Sequence, residues 1–161
     1  MSAAAPRLSD PATLVATWFG AGLAPVAPGT WGSLAALPFA WGIAALVAPW
    51  ALVPAALLLF LVGWAASNRV VAANRASDPQ IIVVDEVVGQ WLTLAVAPPD
   101  LLAYALGFAL FRAADILKPW PASWADRRVK GGLGVMLDDV LAALYSAALL
   151  WLILRLWGGR P

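Results

Sequence analysis

The chain contains neither cysteine nor histidine. Without thiols there is no disulfide framework, no thiolate nucleophile and no cysteine-ligated metal site. Without imidazoles there is no Ser-His-Asp triad, no phosphohistidine intermediate and no histidine-bound zinc. Catalysis, if any, must run on Asp, Glu, Lys, Arg, Ser, Thr, Tyr or backbone groups, with or without a hard metal ion. Charge is scarce as well. Only 12% of residues are Asp, Glu, Lys or Arg, and the net charge is +1. That leaves no basic field of the kind that binds nucleic acid.

Hydrocarbon fills the chain instead. Of its 161 residues 63% are hydrophobic, and mean hydropathy is +0.83. Soluble domains are about half apolar, so the expected solvent for much of this protein is lipid. The ten tryptophans agree, because indole favours the membrane–water interface. The length suits a single membrane-embedded domain over 1–161. The opening "MSAAAPRLSDPATLVATWFG" has no clean apolar core before a small-residue cleavage site, so it reads as a retained end lying on or near the membrane.

No charged side chain occurs between residues 11 and 68. About 20 helical residues span the hydrocarbon layer, and this stretch offers two such helices, 31–50 and 50–68, with "APW" as the turn. Residues 68–86 begin as a helix leaving the membrane, which "SDP" breaks, because a residue before proline avoids the helical region. "QIIVV" is too short for periodicity to separate strand from helix. Residues 87–111 are apolar on both sides of "APPD" and read as a helical hairpin, tilted or partly inserted. Residues 112–139 are polar and rich in turn residues, and 140–157 form a last span, with Arg155 able to snorkel. The fold class expected is all-α, an integral membrane bundle of four to five spanning or re-entrant helices.

Three polar segments, near 25–33, 68–86 and 112–139, are separated by even numbers of crossings and so share one membrane face. Of the ten basic residues, Arg7, Arg69, Arg75, Arg112, Lys118, Arg127, Arg128 and Lys130 fall on that face, against Arg155 and Arg160 elsewhere. The positive-inside rule makes it cytoplasmic.

Four segments could carry chemistry. "APVAPGTWGS" offers Gly29, Thr30, Gly32 and Ser33, either as a loop whose N–H groups cradle phosphate or as a plain loop with Thr30 or Ser33 capping a helix. "DPQIIVVDEVVGQW" brings Asp78, Asp85 and Glu86. Gly89 follows Asp85 by four, on the same helical face, leaving room for a ligand or another helix; interfacial acids favoured by a helix dipole are the bland alternative. "FRAADILKPWP" sets Arg112, Asp115 and Lys118 three apart along one stripe. Two cations around an acid suit a phosphate, though an i,i+3 ion pair of a few tenths of a kcal/mol would look the same. Trp120 and Trp124 read as interfacial anchors. "KGGLGVMLDD" supplies Lys130, close-approach glycines and the pair Asp138 and Asp139, expected at a helix start. One aspartate suffices for a cap, and acids at a membrane face mark a site by default. Carboxylates without histidine suit Mg²⁺, which prefers oxygen ligands and substrate phosphates.

Taken in order, "APGTWGSLAALP", "DPQIIVVDEVVGQWL", "FRAADILKPWP" and "KGGLGVMLDDVLAAL" resemble the successive signatures of the phosphatidylglycerophosphatase A family, from about residue 17 to 150. Ala114 stands where the family pattern has phenylalanine, and Ala142-Ala143 where it has Ala-Gly; both read as packing changes. The resemblance implies a multi-pass enzyme of the bacterial inner membrane, a Mg²⁺-dependent phosphatase converting phosphatidylglycerophosphate to phosphatidylglycerol. On that expectation Asp85, Glu86, Asp138 and Asp139 hold metal, and Arg112 and Lys118 grip phosphate. Asp115 acts as base, nucleophile or ligand, while the Gly29–Ser33 loop and Lys130 contact substrate. Two other readings compete: a CDP-alcohol phosphotransferase, whose long spaced aspartate signature is absent, and a divalent-cation carrier, which would bury its acids at the bilayer midplane.

Overall fold

The computed structural model describes residues 8–74 and 79–158. Arg7, Arg75, Asp78 and Arg160, and residues 1–7 of the amino-terminal end expected on the membrane, lie outside the described residues. Within them the chain is all helical, with no strand: α1 (Pro11–Ala16), α2 (Pro28–Leu46), α3 (Leu52–Asn74), α4 (Val84–Leu94), α5 (Leu101–Leu117), α6 (Ala122–Arg128) and α7 (Gly131–Leu156). Starts are written locally. Asp10 caps α1, accepting from the Thr13 N–H at 3.0 Å, with Pro11 in the first turn. Asp100 does the same for α5 through the Ala103 N–H, directly after the two prolines of "APPD".

Three described helices are long and apolar enough to cross a membrane: Pro28–Leu46, Pro49–Ala73 and Gly131–Leu156. Length alone thus accounts for three of the four to five spanning or re-entrant helices expected. α4 has 11 residues, roughly 16 Å of helix against about 30 Å of hydrocarbon. It packs antiparallel to α5, as expected for a hairpin: Gly89 faces Phe111, and Leu94 faces Gly107. The "APW" turn between the first two spans stands as read, as a short 3₁₀ turn at Pro49–Ala51.

The most buried helix is α4. Val84, Val87, Val88 and Leu94 of α4 are essentially inaccessible, and they pack among Ala36 and Ala40 of α2, Ala56 of α3 and Met136 of α7. Alanines at 36, 40 and 44 line the inward face of α2. Small residues four apart let helix backbones approach, which matters in lipid, where no hydrophobic force separates helix from solvent. The outward faces are apolar instead: Leu57, Leu58 and Leu61 on α3, and Leu144, Leu149 and Leu152 on α7 are exposed. A patch of that extent on a water-soluble surface would aggregate.

Two local readings change. The loop over 24–33 ends at Ala27, which takes a left-handed conformation (φ 49°) so that Pro28 can open α2. Gly29, Thr30, Gly32 and Ser33 are therefore helical, and neither hydroxyl caps the helix. Likewise α7 starts at Gly131, with Lys130 at its cap position. Asp138 and Asp139 sit two turns inside, not at its start, because the glycines of "KGGLG" are accommodated in the helix by close packing. Ala114, Ala142 and Ala143 all pack into one small cluster with Phe111 and Ala122, in keeping with their reading as packing changes.

Candidate active site

A cavity of about 420 Å³ opens at the end of the bundle where α2 and α7 begin and α5 ends. Gly29, Asp85, Glu86, Arg112, Asp115, Lys118, Lys130, Asp138 and Asp139 all line it. The three polar segments, far apart in sequence, do meet on one side of the molecule.

Asp85, Glu86 and Asp139 each offer an oxygen within 4.8 Å of the others'. Asp85 and Glu86 stand in the first turn of α4; Asp139 reaches them from α7. Gly89 makes the approach possible. A Cβ there would lie 2.4 Å from the Phe111 ring and 3.1 Å from the Asp139 carbonyl. The space that Gly89 leaves is filled by neighbouring helices rather than by a ligand. Gly29 has a parallel role: a Cβ on it would lie 2.0 Å from Glu86 Oε1 and 3.2 Å from Arg112 Nη2, so only glycine lets the start of α2 close over the carboxylate.

Oxygens on all three acids, Asp85 Oδ1, Glu86 Oε2 and Asp139 Oδ2, are buried with no hydrogen-bond partner among the described residues. Burial pushes the Asp85 carboxyl well above the usual range, and the charges of Glu86 and Asp139 push it further. Glu86 is also raised by burial, partly offset by its hydrogen bond with Asp85 and by Arg112. Buried, mutually repelling, unpartnered carboxylates are costly unless protonated or bridged by a cation. The donor set is oxygen alone, which suits a hard divalent cation.

The cations lie against this cluster. Arg112 Nη1 is 2.5 Å from Asp115 Oδ2 and 3.8 Å from Glu86 Oε1, and it donates to Ser33 Oγ at 3.4 Å. Lys118 terminates α5 in a left-handed conformation (φ 44°), which turns its ammonium inward. Lys118 Nζ donates to Asp138 Oδ2 at 2.6 Å and to Asp126 Oδ1 at 2.7 Å. Burial works against this ammonium, but the two carboxylates outweigh it and raise its affinity for the proton. Asp138 and Asp139 are thereby separated in environment: successive helical residues point about 100° apart, one toward Lys118 and the other into the acidic cluster.

Of the residues expected to touch substrate, Gly29 and Lys130 line the cavity, whereas Thr30, Gly32 and Ser33 do not. Gly32 lies against Val83, and Ser33 is buried as a support for Arg112. Sequence reasoning missed Asp126, which holds Lys118 from α6. Periodicity offers no signal for it, because a chain reversal lies between the two residues. It also missed Asn68, whose Oδ1 accepts from the Gly132 N–H at 2.9 Å and ties the start of α7 to α3.

The family model for Phosphatidylglycerophosphatase A matches residues 14–154. Phosphatidylglycerophosphatase A of Escherichia coli (strain K12) is 40% identical over 153 residues, covering 94% of this chain and 88% of the relative. The Haemophilus influenzae protein of the same name is 39% identical over 147 residues, covering 91% and 90%. A Bacteroides thetaiotaomicron protein carrying the provisional name phosphatidylinositol-3-phosphatase is 40% identical over 153 residues, covering 85% of this chain and 89% of that one. No solved structure matches.

Proposed function

Because the chain belongs to the phosphatidylglycerophosphatase A family, we propose that it removes the terminal phosphate of phosphatidylglycerophosphate, leaving phosphatidylglycerol in the membrane. The observation that carries this reading is the juxtaposition of three close carboxylates with Arg112 and Lys118 around one cavity. A naked-cation carrier has no use for two fixed cations beside its acids; a phosphate needs them.

Asp85, Glu86 and Asp139 would hold Mg²⁺, which when bound supplies charge neutralisation at the phosphate. The remaining work belongs to the chain. Arg112 and Lys118 bind phosphate oxygens and stabilise the charge that develops on them. Asp138 and Asp126 hold the Lys118 ammonium in place and protonated. Asp115, paired with Arg112 and within hydrogen-bonding reach of Asp139, serves as proton acceptor. Lys130 and the backbone at Gly29 sit at the cavity wall, where they meet the phosphate or glycerol. The acyl chains stay in the bilayer, since the cavity opens at the end of the apolar bundle and the substrate need not be extracted.

Three crossings by α2, α3 and α7, with α4 and α5 as a re-entrant hairpin, would make five spanning or re-entrant helices. Arg69, Arg112, Lys118, Arg127, Arg128 and Lys130 gather at the cavity end, against Arg155 toward the far end of α7. That bias supports a cytoplasmic active site in a bacterial inner membrane. The test is phosphate release from phosphatidylglycerophosphate in mixed micelles, with and without EDTA. Metal-dependent release is expected. Release that survives EDTA overturns the metal role, and release from phosphatidylinositol 3-phosphate in preference to phosphatidylglycerophosphate overturns the head-group assignment.

A further inference from the structure

A second cavity, of about 430 Å³, is lined by Trp120, Trp124, Arg127 and Arg128. We infer that it binds the head-group phosphate of an anionic membrane phospholipid other than the substrate. α6 divides its side chains between two tasks. Asp126 turns to Lys118 at the active site; Trp124, Arg127 and Arg128 turn to the second cavity. Arg127 donates its Nε to the Ser123 carbonyl at 2.9 Å, which orients the guanidinium and leaves its terminal nitrogens for a ligand. Among the described residues no carboxylate pairs with Arg127 or Arg128. Two adjacent cations without a counter-ion form an anion site, and a planar guanidinium matches phosphate oxygens in pairs.

The surroundings select a lipid over a free anion. Trp120 and Trp124 are 73% and 48% exposed, and Ile116 and Leu117, just before them, are 70% and 79% exposed. A phosphate gripped by the arginines would therefore have the two indoles of the cavity wall beside its glycerol. Indole is suited to that boundary because one edge donates a hydrogen bond while the ring is apolar. The shelf is anchored: Tyr145 Oη on α7 donates to the Trp120 carbonyl at 2.5 Å. A lipid here would brace α6, and with it Asp126, against the bundle.

This inference does not depend on the phosphatase reading, and binding alone tests it. The full-length protein is reconstituted in phosphatidylcholine nanodiscs containing a minor fraction of brominated phosphatidylserine or, in parallel, brominated phosphatidylcholine, and tryptophan fluorescence is followed. Stronger quenching by the phosphatidylserine probe is expected. R127Q/R128Q should lower the apparent affinity for that probe roughly thirtyfold, the effect of two cations at an anionic surface, while D138N, in the active site, should not change it. W120F/W124F should remove the differential quenching by deleting the reporters, whether or not the arginine variant folds. Equal quenching by both probes in the unmodified protein, a differential that survives R127Q/R128Q, or one that survives W120F/W124F overturns the proposal.

Discussion

Asp138 and Asp139 are neighbours in sequence, yet Lys118 holds Asp138 by a 2.6 Å contact while Asp139 joins Asp85 and Glu86 within 4.8 Å. One turn of α7 thus serves two parts of the site, a cation clamp and an oxygen-only cluster. The two aspartates should fail in different ways when changed.

Asp139→Asn removes a charge from the cluster without changing its shape. Turnover should fall by more than about a hundredfold, beyond the range typical of outer-shell changes at metal sites. Helix content by circular dichroism should be unchanged. Near-normal phosphate release from a folded variant would take Asp139 out of the machinery.

Lys118→Met should both slow the reaction and destabilise the protein. Loss of a charge-stabilising donor costs roughly 10²–10³ in kcat. Leaving Asp138 buried without its partner costs about 1.5–3 kcal/mol. The double variant K118M/D138L should recover most of the stability, since an apolar pair replaces a buried ionic one, but none of the activity. Thermal unfolding and phosphate release on the same preparations separate the two effects.

Gly29→Ala tests how closely α2 covers Glu86. The new methyl would meet Glu86 Oε1 at 2.0 Å, so the carboxylate must move. Displacement of about 1 Å at a reacting centre costs on the order of a hundredfold. Activity should drop while the melting temperature changes little, because Gly29 lies at a helix start beside a cavity. A fully active Gly29→Ala enzyme would show that Glu86 need not sit where it does.

Chelation should make stability depend on pH. Asp85 and Glu86 have raised proton affinity in the folded protein, so without metal the folded state binds more protons than the unfolded one. Stability then falls as pH rises from the unfolded carboxylate range, near 4, through the raised folded values. EDTA-treated protein should melt at progressively lower temperature as pH rises above the ordinary carboxylate range. Saturating Mg²⁺ should flatten that slope, because bound cation replaces the protons. A flat profile after chelation would mean that the cluster is not a cation site.

Much of this architecture can be read along the chain because membrane helices are written in one dimension. Composition excludes sulfur and imidazole chemistry, and uncharged runs locate the middles of α2, α3 and α7, although α7 begins nine residues before its expected start and α3 ends six residues beyond its expected end. The hairpin at "APPD" follows from its prolines and from the short lengths on either side. The ordered motifs name the family, and counting crossings brings Asp85, Asp115 and Asp139 to one face. Helix starts are less readable. Pro28 and Gly131 open their helices earlier than local patterns suggest, because a left-handed Ala27 sets Pro28 in the first turn, where proline is favoured, and tight packing at "KGGLG" offsets the cost of glycine in a helix.

Which partner each charge takes was settled only in three dimensions. Hydropathy tells a residue's depth but not its bearing around a helix or the neighbour it meets there. Nothing local pairs Lys118 with Asp126 and Asp138, converts Ser33 from a substrate contact into a prop for Arg112, or buries the short α4 at the centre. Those outcomes depend on helix rotation, on glycines that set how near two backbones come, and on one left-handed residue that turns a lysine inward. Each is a property of packing between distant segments, where the energy of an unpaired buried charge outweighs any local preference.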